Sequence, residues 1–314
     1  MKRKVIQHSP TSLVVTLPAR WAKKNYVKKG EEIDLIENSS EIIIRKGLKH
    51  KELLEVNIDI SALDKTTILH VIRNLYRAGY DKINIEFDKE RVPYDKIKGS
   101  FLVTEIIHQE TRRLLGYEIT REKKNNCIIE SISEGITEEL PTIIRRVHLL
   151  LIDIAETLTE AARRNDKALL STIREKHETI IRFINYCLRS GAKELDNENP
   201  ITKAEYHRLA TFDRIVHLLR SSAKRLLRQE KRASKELIKV MERTVESLRL
   251  FHKFIYTKKS TIVKDLNNIR YEVEKIIYNY TRPNTDMGEE DLVFFHFRHI
   301  HHILLDVCDV RGLS

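Results

Sequence analysis

The chain has 314 residues, about a third of them charged, and 57 Lys and Arg against 46 Asp and Glu give a formal charge of +11. That length allows two or three domains. The positive excess favours an acidic partner such as nucleic acid or a membrane surface, against the plain alternative that many helical proteins are simply basic. No apolar run reaches membrane-spanning length and no signal-peptide core follows the basic start, so no integral membrane segment and a cytoplasmic location are expected. Cys127, Cys187 and Cys308 are odd in number and far apart, which argues against a disulfide frame or a zinc ribbon and for reduced core thiols.

In chain order, residues 12–17 are β-branched and apolar and predict a strand. Pro18 then opens a short basic helix over 19–26, since a helix tolerates proline in its first turn. A basic turn at 27–30 leads to strands at 31–37 and 41–45. A helix this short is not stable alone, and a unit of fifty residues buries too little surface to fold comfortably by itself. A second copy is the expected partner. Residues 1–50 hold eleven basic and five acidic groups, a local excess of +6. Such residues bind phosphate by releasing counterions, or they form a solvated face.

This segment resembles the AbrB/SpoVT swapped-hairpin DNA-binding domain. The matching residues are Leu13-Val14-Val15-Thr16-Leu17-Pro18, a basic helix carrying Trp21, and Val27-Lys28-Lys29-Gly30-Glu31. The family ends its helix with Leu-Gly where this chain has Asn25-Tyr26. The resemblance, over residues 1–47, implies a dimeric swapped-hairpin β-barrel. Its basic arm and short helix would face double-stranded DNA through Lys2, Arg3, Lys4, Arg20, Lys23 and Lys24.

Residues 47–51 read as a linker. From 52 to 133 the pattern predicts a small α/β unit: strands at 56–60 and 83–87 around a helix at 66–78, a helical stretch at 94–115, and a hairpin of 117–121 with 126–132. No two glycines stand close enough for a phosphate loop, so the unit reads as a spacer or as a sensor of an unspecified ligand.

The remainder predicts six helices, at 138–165, 166–190, 201–229, 231–256, 260–280 and 288–310. Apolar residues recur every three or four positions along them, which suits a bundle. Phe212-x-x-Ile215-x-His217 recurs as Phe297-x-x-Ile300-x-His302, which suggests two three-helix repeats, 138–229 and 231–310. The region 138–312 resembles PhoU, the phosphate-uptake regulator family, whose archaeal branch carries an AbrB-type domain in front. The resemblance implies a DNA-binding transcriptional regulator linked to phosphate uptake or sensing. The alternative is an adaptor that acts on a phosphate transporter component or a sensor kinase and uses its front domain only to dimerise. The whole chain is then multidomain α+β, mostly helical, and no enzyme fingerprint is present.

PhoU repeats carry acidic metal ligands in a Leu-Glu-Arg-Ile-Ala-Asp-His stretch. Here the stretch is Phe212-Asp213-Arg214-Ile215-Val216-His217-Leu218, and the family's second-helix aspartate is Ile181, so the ligand set is eroded. The sixth helix still offers His299, His302, Asp306 and Asp309 on one face. With Asp213 and His217 they form a candidate set for zinc or iron, or they are ordinary polar positions on a bundle. His296 and His301 point elsewhere, and His177 reads as a core histidine. A second basic stretch, Arg220 to Lys259, carries a net +9 and reads equally as an anion-binding face or a solvated one.

Overall fold

The computed structural model describes residues 3–38, 41–45, 53–93, 99–132, 140–193, 203–280 and 288–308. The chain is mostly helical with small sheets, and it divides into two compact units, 1–53 and 54–314. The expected linker at 47–51 lies outside the described residues.

The first unit contains two antiparallel hairpins and one short helix. Strand β1 (Val5–Ser9) pairs with β2 (Ser12–Val15), and β3 (Asp34–Asn38) pairs with β4 (Glu41–Arg45). The strand pattern in the sequence does not reveal β1. Among the described residues these are two separate two-stranded sheets. Helix α1 (Ala19–Lys24) starts at Pro18, whose carbonyl accepts from Ala22 N–H at 2.9 Å. Beyond it, Tyr26 has φ 52°, the left-handed conformation that a glycine adopts more cheaply. The Asn25 side chain donates to the Trp21 carbonyl at 2.9 Å and closes the helix in glycine's absence.

The second unit holds two hydrophobic cores. In the first, β5 (Glu55–Asp59), α2 (Lys65–Arg77) and β6 (Lys82–Glu86) form a parallel crossover. Asp64 caps α2 by accepting from Thr67 N–H at 2.8 Å. The ribbon of β7 (Arg91–Pro93) and β8 (Ser100–Leu102) precedes α3 (Val103–Thr111), and β9 (Tyr117–Lys123) pairs with β10 (Asn126–Ser131). The main sheet runs β5-β6-β10-β9. Ile83, Ile85, Cys127 and Ile129 are buried with Ile68 and Ile72 of α2 and Ile106 and Ile107 of α3. The helix expected over 94–115 is corrected to 103–111. Residues 100–102 instead pair with 91–93, where Arg91 donates to the Ser100 hydroxyl at 2.9 Å and its carbonyl at 2.8 Å, and residues 94–98 lie outside the described residues.

The second core is the bundle: α4 (Leu140–Arg164), α5 (Lys167–Lys193), α6 (Lys203–Arg228), α7 (Lys235–Thr257), α8 (Ser260–Tyr280) and α9 (Glu289–Asp306). The sequence-based expectation extends α9 to 310, whereas the structure ends it at Asp306. The predicted stripes face inward: Val147, Leu151, Ile154 and Leu158 of α4 are buried, as are Phe212, Val216 and Leu219 of α6 and Met241, Leu248 and Phe251 of α7. Helices α4, α5 and α6 pack in sequence, as do α7, α8 and α9. Corresponding helices also meet, α4 with α7 and α6 with α9.

Charge joins the two cores where α2 packs on α5. Asp81, 5% exposed, receives Arg189 at 2.8 Å and also Lys193. Arg189 further donates to the Tyr76 and Tyr80 carbonyls at 3.2 and 2.7 Å and lies over the Tyr117 ring at 4.6 Å. Gly79, at φ 95°, ends α2 there, and a Cβ on it would stand 3.2 Å from the Lys193 side chain. Removing one member of such a pair strands the other in low dielectric. Arg189→Met is expected to destabilise the chain by about 3 kcal/mol or more, measured by urea unfolding. An unchanged midpoint would show that Lys193 alone satisfies Asp81.

Candidate nucleic-acid interface and histidine clusters

Arg3 and Lys4 precede β1, and Arg20, Lys23 and Lys24 lie on α1. All five are exposed, and among the described residues none has an acidic partner. Lys2 lies outside the described residues. The strands beside them expose apolar side chains: Val5 63%, Ile6 53%, Leu13 68%, Leu35 65% and Ile42 66%. Val5 pairs with Val15 and Ile6 with Val14, so the alternation of strand side chains places apolar groups on both faces of the first ribbon. None of the side chains described in this unit is buried, and Trp21 is half-buried.

The metal-type residues fall into separate places. Asp213 pairs with Arg77 of α2 at 3.1 Å. His217 Nδ1 lies 2.9 Å from His177 Nε2 of α5, and its Nε2 is 3.6 Å from Asp213, beyond hydrogen-bond length. His302 instead meets Glu274 of α8 at 3.1 Å, and His299 lies 3.3 Å from Arg214. Asp306 is exposed at the end of α9, and Asp309 lies outside the described residues. Each repeat thus turns its histidine towards its own second helix. The shared spacing places these residues on helical faces but not on facing ones, because a step of one residue turns a helix by a hundred degrees. Among the described residues no three His, Cys, Asp or Glu side chains stand close enough to hold a metal ion. Among the described members of this set, Asp213 and His217 take partners on α2 and α5, and His302 takes one on α8.

The His177–His217 contact sits in a polar layer between the two cores. Arg73 pairs with fully buried Glu110 at 2.6 Å, Arg113 with Glu178 at 2.6 Å, and Arg77 donates to Asn185 at 2.8 Å. Burial, with His177, Arg73 and Arg220 nearby, lowers the His217 pKa to about 4 against the pull of Asp213. Burial also lowers that of His177. One of the two rings must donate and the other accept, so the contact needs at least one neutral imidazole.

Two further histidines, not singled out for chemistry by their spacing, are almost fully enclosed. His301 bridges Thr244 at 3.0 Å and Ser247 at 3.3 Å on α7, and His148 Nδ1 meets the Ile144 carbonyl at 2.8 Å. Burial pulls both down to about 4. The cysteines are free. Burial pushes Cys127 and Cys187 up to about 12, leaving them unreactive thiols at neutral pH.

No family model, curated protein or solved structure matches this chain.

The buried histidines set a pH dependence. Their folded-state values are depressed below the ordinary 6.5, so the unfolded chain binds more protons between that value and about 4. Their contribution is complete above the upper value and lost as pH falls through the window, by up to about 1.4 kcal/mol per pH unit per histidine. The melting temperature is therefore expected to fall steadily from pH 7 to pH 5, and His301→Gln should flatten the curve. A melting temperature constant over that range would contradict the enclosure of these rings.

Proposed function

We propose that this chain is a dimeric DNA-binding regulator whose front unit holds the duplex and whose helical unit senses a signal linked to phosphate uptake. The observation that carries the reading is the front unit's pairing of an unpartnered basic set with uncovered apolar ribbons. A ribbon with apolar groups on both faces is not stable alone in water. A second copy, interlocking its hairpins with the first, would cover both faces and double the cations available to phosphate. The strand-Pro-helix frame resembling AbrB/SpoVT domains and the repeated three-helix pattern resembling PhoU support the same reading. A metal centre is not part of it.

Light scattering of the full chain is expected to give a dimer at micromolar concentration, and Ile6→Asp with Val14→Asp should yield monomer. A monomeric wild-type chain would remove the interlocked assembly. Fluorescence anisotropy with a duplex from the chain's own upstream region tests DNA. Affinity should fall steeply with salt. Arg20→Ala with Lys23→Ala should reduce the log–log slope by about 0.9 for each phosphate left unneutralised. Most of these cations position the duplex, while Arg20 can also grip guanine in a bidentate way. An unchanged slope would take α1 out of the interface. A dimer with no DNA affinity would leave the adaptor reading, in which the front unit serves only to dimerise.

A further inference from the structure

A groove of about 720 Å³ opens on the bundle between the end of α4 and the first three turns of α7. Its walls carry Arg163, Arg232, Lys235, Lys239 and Arg243 against Glu242 and Glu246, and Ala233 and Ile238 form an apolar patch. The two carboxylates are already engaged. Glu242 pairs with Arg163, and Glu246 with Arg243 at 2.6 Å. Lys239 and Arg243 also share Glu272 of α8, at 3.3 and 3.1 Å. Arg232 and Lys235 are exposed and, among the described residues, have no acidic partner.

These two cations flank the start of α7, where the helix dipole is positive and disfavours them. Glu236 in the first turn offsets this only in part. The helix start is itself rigidly held: Ser234 caps it by accepting from Leu237 N–H at 3.1 Å, and Glu290 of α9 accepts from Ser234 N–H at 2.9 Å. Lys235, Lys239 and Arg243 follow at intervals of four, a cationic line about 12 Å long at 1.5 Å per residue. Five cations against two carboxylates leave the concave wall with a positive excess, which concentrates anions. The volume lies within the range of small-ligand sites, and guanidinium forks match phosphate oxygens.

We propose that this groove binds a linear, multiply charged oligophosphate. The same chemistry occurs in inorganic polyphosphate and in the tail of a nucleoside triphosphate, whose base would lie on the patch of Ala233 and Ile238. The site is built from residues of the second unit alone and does not depend on the DNA-binding reading.

Isothermal titration of the full chain tests it, with sodium tripolyphosphate and ATP in magnesium-free buffer and sulfate at matched ionic strength as the control. The expected result is one tripolyphosphate per chain. Arg232→Gln with Lys235→Gln should weaken it at least about tenfold, since each charge-assisted bond removed is worth about that factor. Both residues are exposed, so the melting temperature should not change. Arg20→Ala with Lys23→Ala should bind tripolyphosphate as wild type does. Tighter binding of ATP assigns the apolar patch to a base, and equal binding assigns the site to the inorganic chain. The proposal is overturned if sulfate competes equally, if the groove variant binds as wild type does, or if only the Arg20 and Lys23 variant loses binding.

Discussion

Burial divides the labour in this chain. Val5, Ile6, Leu13, Leu35 and Ile42 each expose more than half their surface, and no described side chain of the first unit is enclosed. Apolar area left in water costs about 25 cal/mol per Å² relative to burial, and a hairpin has few other interactions with which to offset that. The helical unit is the opposite case. Its stripes meet in a core that includes Phe212, Phe251, Phe254, Phe294 and Phe297, all essentially inaccessible. The exposed apolar strands of the first unit are the surface that the proposed dimer would cover.

Within the second unit the two cores are joined by charge as well as by apolar contact. Asp81, Glu110 and Arg189 are nearly or fully enclosed, and their partners come from different elements. Buried ion pairs of this kind add little net stability over apolar packing, yet separating the partners is costly. They therefore fix a relative placement. The same layer contains the His177–His217 contact and the Arg77–Asp213 pair. Through Arg77, α2 thus holds polar contacts to both α5 and α6.

Much of the helical architecture is legible in the sequence because helix ends carry local chemistry. The structure bears this out at Asp64 and Ser234, whose side chains cap α2 and α7. The apolar spacing then assigns the inward faces. Strand β1 is hidden because a basic leader and the polar Gln7, His8 and Ser9 mask its two apolar residues. The β7–β8 ribbon resembles helix because each strand has only three residues, although Pro93 and Gly99 are breakers in plain view. The metal constellation is legible only as spacing. Spacing of three and four shows that His299, His302 and Asp306 share a face, but which neighbour that face meets is decided by packing. The Arg73–Glu110 and Arg113–Glu178 pairs are not legible, since nothing local links residues so far apart in sequence.

Net charge alone also does not separate the two basic stretches, and the structure shows how they differ. Between Arg220 and Lys259 much of the excess is engaged: Arg225 pairs with Glu289, Lys239 and Arg243 with Glu272, and Arg249 with Glu156. Exposed pairs of that kind contribute little stability and little free field. Arg232 and Lys235 are among those without an acidic partner in the described residues, and they stand at a helix start, where the dipole disfavours cations. In the front unit Arg3, Lys4, Arg20, Lys23 and Lys24 have no acidic partner among the described residues, and they lie just before a two-stranded ribbon and on a helix of under two turns. An open cationic surface suits an extended polyanion such as a duplex, whereas a groove with a short cationic line suits a small one. The two stretches can therefore serve different ligands within one chain, with phosphate groups as the chemistry they share.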